Sequence, residues 1–103
     1  MATVLILNER RNLARAEVFK ALGHPARLAM VDALRDGDKC VCDLRELVDL
    51  DMSTVSKHLS VLKRAGIVEG RKQGNWVWYS LNLGCLDTFL GCLDGFLDGR
   101  ATS

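Results

Sequence analysis

The sequence predicts a mostly α-helical domain with one small β-hairpin. Three observations carry that expectation: apolar residues recur at helical spacing over most of the chain, two β-prone runs flank Gln73-Gly74-Asn75, and little chain is left for a second core. With 103 residues, 49% of them apolar, one small core can be buried. A single domain over residues 1–103 is expected. The formal net charge of +1 gives no bulk argument for a polyanionic partner. Charge is nevertheless local, because residues 53–79 hold Lys57, Lys63, Arg64, Arg71 and Lys72 against Glu69 alone.

Leu13, Val18, Phe19 and Leu22 repeat at helical spacing up to Gly23-His24-Pro25, which predicts a first helix over 9–22. From Pro25, the apolar residues Leu28, Ala29, Val31 and Leu34 predict a second over 25–35, closed by Arg35-Asp36-Gly37-Asp38. Asp43 and Glu46 have capping-box spacing and start a third helix through Leu44, Leu47 and Val48. Asp51-Met52-Ser53 supplies a turn and cap for a fourth, whose buried face is Val55, Leu59 and Leu62 and whose stop is Ala65-Gly66. The runs 67–72 and 76–81 then form a hairpin. Helix, turn, capped helix and basic hairpin in this order make a winged helix-turn-helix.

The tail holds an internal repeat: Gly84-Cys85-Leu86-Asp87-Thr88-Phe89-Leu90 recurs as Gly91-Cys92-Leu93-Asp94-Gly95-Phe96-Leu97. Its heptad period predicts a helix over about 83–99 with one apolar stripe. Gly91, Gly95 and Gly99 each cost such a helix about 1 kcal/mol, which packing must offset. The core of so small a domain cannot cover the stripe, so a homodimer through the terminal helices is expected. Val4–Leu7 reads as an extension of that contact.

Twofold symmetry would let two recognition helices enter successive major grooves of an inverted repeat in double-stranded DNA. On the fourth helix Ser53, Thr54, Ser56, Lys57, Ser60 and Arg64 lie opposite the buried face, where they can reach bases and phosphates. Arg71 and Lys72 near the hairpin tip would reach a flanking phosphate or the minor groove. A solvated polar face is the plainer alternative, which the order of elements disfavours.

The N-terminus has no basic leader region, and no membrane-length apolar run follows it, so the chain is expected to be cytoplasmic with reduced thiols and no membrane partner. Of four cysteines, Cys40 and Cys42 stand one residue apart just ahead of the recognition helix. That placement suggests a soft-ion sensor joined to a DNA reader. In a helix, side chains two residues apart diverge by about 200°, whereas in extended chain they point the same way, so chelation is expected to require the entrance of helix three to be unwound. A thiol there is expected to have a lowered pKa. Cys85 and Cys92 share a helical face about 10 Å apart, too far for one ion to bridge. They read either as packing residues or as ligands offered to a second subunit.

Ala21-Leu22-Gly23-His24-Pro25-Ala26-Arg27-Leu28, Cys40-Val41-Cys42-Asp43-Leu44, Ser53-Thr54-Val55-Ser56-Lys57-His58-Leu59 and Arg71-Lys72-Gln73-Gly74-Asn75-Trp76-Val77 together resemble the ArsR/SmtB family of metal-responsive repressors over residues 13–83. The cysteine motif is most similar to that of the arsenic-responsive repressors. The resemblance implies a dimer that holds operator DNA when ion-free and releases it when As(III) or Sb(III) binds cysteine thiolates. No organic cofactor and no catalytic residue are implied. Arsenic repressors of this type carry a third cysteine three residues after the second, and here Arg45 stands there. Two thiols would then act with a hydroxide or buffer thiol, or Cys85 or Cys92 would supply a third. Cadmium, lead or thiol oxidation are alternative signals. Zinc is disfavoured, because zinc-responsive relatives use histidine and carboxylate on the last helix, which here offers Asp87, Asp94 and Asp98 without histidine. His24 reads as a cap and His58 as a structural neighbour of the buried face.

Overall fold

The computed structural model describes the backbone of residues 2–102 and the side chains of residues 8–100. The side chains of Val4–Leu7, expected in a dimer contact, lie outside the described residues. In order the elements are α1 (Ala2–Leu22), α2 (Pro25–Leu34), β1 (Lys39–Cys40), α3 (Val41–Val48), α4 (Met52–Arg64), β2 (Val68–Gln73), β3 (Trp76–Leu81) and α5 (Leu86–Thr102). This is the winged helix-turn-helix expected from the sequence, its described residues forming five helices and a small antiparallel sheet.

Chain breaks fall where backbone chemistry requires them. His24 caps α2 by accepting the Ala26 N–H on Nδ1 at 3.1 Å, while Pro25 fills the first turn, where its missing N–H costs nothing. Asp49 ends α3 in the left-handed region, with φ 51°. Gly66 leaves α4 at φ 82°, a conformation that a Cβ would strain. The wing closes through Gly74-Asn75, with Gln73 opposite Trp76 and Gly74 at φ 62°.

Val55, Leu59 and Leu62 on α4 pack with Met30, Val31 and Leu34 of α2, Leu44 of α3 and the Ile67-Val68 entry to the wing. Among the described residues, α1 buries only Ala21 and Leu22 fully, and α5 only Leu86. Arg35 fastens α5 to α2, gripping Asp87 through Nε at 2.7 Å and NH2 at 2.6 Å while NH1 holds Asp32 at 2.6 Å.

Three local expectations are corrected. Helix α1 starts at Ala2 rather than near residue 9. A short strand, β1, precedes α3 and joins the hairpin, so the sheet has three strands in the order β1-β3-β2. The cap of α3 shifts upstream, to Cys40 rather than Asp43, while Asp51 caps α4 within the expected Asp51-Met52-Ser53 turn.

Candidate thiol site and nucleic-acid interface

Cys40 is both the last residue of β1 and the N-cap of α3, with extended backbone at φ −70° and ψ 150°. Its sulfur accepts the Cys42 N–H at 3.5 Å, while Asp43 Oδ2 accepts the Cys40 N–H at 3.3 Å, closing a capping box. Sulfur is a weak acceptor, so this cap holds α3 less firmly than serine or aspartate would. Cys40 is buried and Cys42 half-buried.

Desolvation raises the Cys42 thiol above its ordinary pKa, and its hydrogen bond and charge interaction with Cys40 add to the rise. The lowered pKa expected at a helix start is not found for Cys42. The boundary of α3 falls between the two residues, so Cys40 is already non-helical and the two thiols interact without unwinding the helix.

The other two cysteines lie elsewhere. Cys85 is exposed beside an apolar hollow lined by Val18, Phe19, Leu22, Leu83, Leu86 and Phe89. Cys92 is exposed on α5. Among the described residues no three His, Cys, Asp or Glu side chains gather as an ion would need, so within one chain neither joins Cys40 and Cys42. Of the acidic residues weighed for zinc, Asp87 is engaged by Arg35.

Helix α4 shows the expected division of faces. Ser53, Ser56, Lys57, Ser60 and Arg64 are exposed, and Thr54 is half-buried above Val55. Asp51 Oδ1 accepts the Thr54 N–H at 3.2 Å and Asp51 Oδ2 the Ser53 hydroxyl at 2.9 Å. These bonds hold the Asp51 carboxyl below its usual range. Lys63 is exposed on the same helix and adds a cation to the face. On the wing Arg71 and Lys72 are exposed, but Arg71 donates to Asp38 Oδ2 at 2.9 Å. Sequence reading missed Asp38 because its partner lies 33 residues away.

Behind α4 a polar knot ties the recognition helix to the α1–α2 corner. Arg27 Nε donates to the Ala21 carbonyl at 2.6 Å, and its NH1 lies 3.2 Å from His58 Nδ1. The His24 and His58 rings stand 4.4 Å apart. Desolvation, then the charges of His24 and Arg27, lower the His58 pKa.

Residues 24–70 match the family model described as bacterial regulatory protein, arsR family. An HTH-type transcriptional regulator of Methanocaldococcus jannaschii, itself uncharacterised, is 45% identical over 65 residues, covering 62% of this chain and 73% of that protein. The chain is a member of the arsR family. It is similar to the arsenical resistance operon repressor of Escherichia coli K12, at 40% identity over 67 residues, 64% of this chain and 57% of the relative. It is equally similar to a cadmium resistance transcriptional regulatory protein, a CadC homolog of Staphylococcus aureus, at 41% over 68 residues, 65% of this chain and 56% of the relative. Among solved structures, Rv0081 of Mycobacterium tuberculosis superimposes with a TM-score of 0.77 at 35% identity, covering 85% of this chain and 89% of that one. This arsR-family chain is therefore a DNA-binding transcriptional repressor and not an enzyme. Among the described residues no helix is long and apolar enough to cross a membrane.

Proposed function

We propose that this repressor senses As(III) or Sb(III) through Cys40 and Cys42, holding operator DNA when ion-free and releasing it when the two thiolates are occupied. One observation carries the reading: the Cys40 sulfur accepts the Cys42 N–H at 3.5 Å, which brings both cysteines together at the cap of α3, the helix immediately before the recognition helix. Trivalent arsenic takes soft sulfur ligands. Each thiol gives its proton to a hydroxide of arsenite, which leaves as water as the As–S bond forms, and a remaining hydroxide or an added thiol completes the shell. The Cys40 sulfur cannot then serve α3 as before, so the entrance of α3 rearranges against α4.

On DNA, Ser53, Thr54, Ser56, Lys57, Ser60 and Arg64 face the major groove, and Arg71 and Lys72 meet flanking phosphates. The chain acts as one domain and pairs through its terminal helices in the cytoplasm. Leu13 and Phe19 on α1, with Phe89, Leu93, Phe96 and Leu97 on α5, are exposed large apolar side chains that one chain leaves uncovered. Phe19 meets Phe89 edge-on at 6.1 Å, joining the two helices into one surface. A second copy buries it, and the resulting twofold axis suits an inverted-repeat operator. Gly91, Gly95 and Gly99 have open space where a Cβ would project, so a partner helix can approach closely.

The similarity to the cadmium regulator favours a second reading, in which the same thiol pair takes cadmium. Operator binding followed by fluorescence anisotropy, with arsenite, antimonite, cadmium and zinc added in turn, separates the two. Arsenite and antimonite are expected to release the DNA; release by cadmium alone would move the assignment to the second reading, and release by none would refute ion sensing.

A further inference from the structure

The register of the sheet places a candidate ion ligand and a candidate DNA contact in one row. Cys40 of β1 pairs with Trp78 of β3, and Trp78 pairs with Arg71 of β2. Lys39 pairs with Tyr79 beside it. Two residues upstream of Cys40, Asp38 reaches over the row and holds Arg71 at 2.9 Å. Three consecutive residues, Asp38, Lys39 and Cys40, therefore hold both strands of the wing, and the last of them carries the thiol.

Resting on the sensor reading above, we propose that β1 is the link by which thiol occupancy reaches the wing, with Asp38 as the residue that positions Arg71 for DNA. Arg71 has five N–H donors, so the bond to Asp38 fixes the guanidinium while leaving others for a phosphate. An exposed ion pair of this kind adds little stability, and its use is position. Turning the Cys40 sulfur towards a shared ion breaks its bond to the Cys42 N–H, at the end of a strand only two residues long. As β1 leaves the ladder, Asp38 goes with it and the wing loses its seat. This route runs through the sheet and is separate from any shift of α3 against α4.

The test compares wild type with Asp38→Asn and Asp38→Glu, measuring operator affinity with and without arsenite at one salt concentration. Arsenite uptake is followed separately by thiolate–arsenic absorbance without DNA. The Asn variant is expected to take up arsenite at least as tightly as wild type, yet its release factor should fall by about tenfold, with the Glu variant restoring most of it. Hydrogen exchange on the wild type should show the Lys39 and Tyr79 amides, the pair through which β1 bonds β3, losing protection when arsenite binds. An unchanged release factor in the Asn variant, or retained protection of those amides while DNA is released, would overturn the link. Failure of wild type to take up arsenite would instead sink the sensor reading itself.

Discussion

Cys40 and Cys42 sit where a strand becomes a helix, whereas Cys85 and Cys92 sit one heptad apart at and along α5. The first pair is buried or half-buried, its thiols interact, and its backbone is built into the cap of α3 and the edge of the wing. The second pair is exposed and separated by about two helical turns. The same residue type thus holds two different positions. What makes the first pair a candidate sensor is that its sulfurs sit on the elements next to those proposed to contact DNA. Ligation at the second pair would act on α5 and the hollow it shares with α1, and the apolar side chains of α5 other than Leu86 and Leu90 stand largely outside the core.

The largest effect that sharpens this contrast is a pH dependence. Arsenite exchanges hydroxide for thiol with loss of water, so its apparent affinity should change little between pH 6 and 8. Cadmium must displace the proton of each thiol, and the raised Cys42 pKa keeps that proton on. Cadmium affinity should therefore rise by about tenfold per pH unit through the Cys42 proton. Isothermal titration in two buffers checks both, and a steep arsenite dependence would break the two-thiol account.

The next contrast sets core against α5. Leu59, 1% exposed, should cost about 2–5 kcal/mol when cut to Ala, read by urea unfolding. Phe96, 61% exposed, should instead weaken self-association when cut to Ala, by about tenfold in sedimentation equilibrium, if a second copy covers it. Loss of monomer stability without loss of association would contradict a dimer face on α5.

A smaller effect is expected at the polar knot behind α4. The folded His58 pKa lies below its unfolded value near 6.5, so the folded state binds fewer protons there and stability rises with pH. Stability contributed by neutral His58 is present above about pH 6.5 and is lost as pH falls through the depressed folded value. Tm scans from pH 7.5 to 5 should show this loss in wild type and a flatter profile in His58→Gln. Parallel profiles would place the acid sensitivity elsewhere.

The recognition helix and wing were legible because their patterns are strong: Val55, Leu59 and Leu62 fall at i, i+4 and i+7, and the strands flank a glycine turn. Cap positions were less so. Cys40/Asp43 and Asp43/Glu46 both offer the three-residue spacing, and cysteine is not an ordinary cap, so the sequence points to a box three residues too late. Strand β1 spans only two residues and has no periodicity to read. The start of α1 escaped because the chain before residue 9 shows neither a cap nor an apolar repeat. In the candidate site the two thiols were visible from spacing alone. Their connection to the wing was not, since Cys40–Trp78 and Asp38–Arg71 are contacts between distant parts of the chain.

The central claim is that Cys40 and Cys42, and not the tail pair, couple an ion to DNA release. The direct measurement is operator anisotropy during arsenite titration of three proteins: wild type, Cys40→Ser/Cys42→Ser and Cys85→Ser/Cys92→Ser. The account predicts release from wild type and from the tail variant, with the Cys40/Cys42 variant remaining bound at every arsenite concentration. Release from the Cys40/Cys42 variant, or its loss in the tail variant, would contradict it.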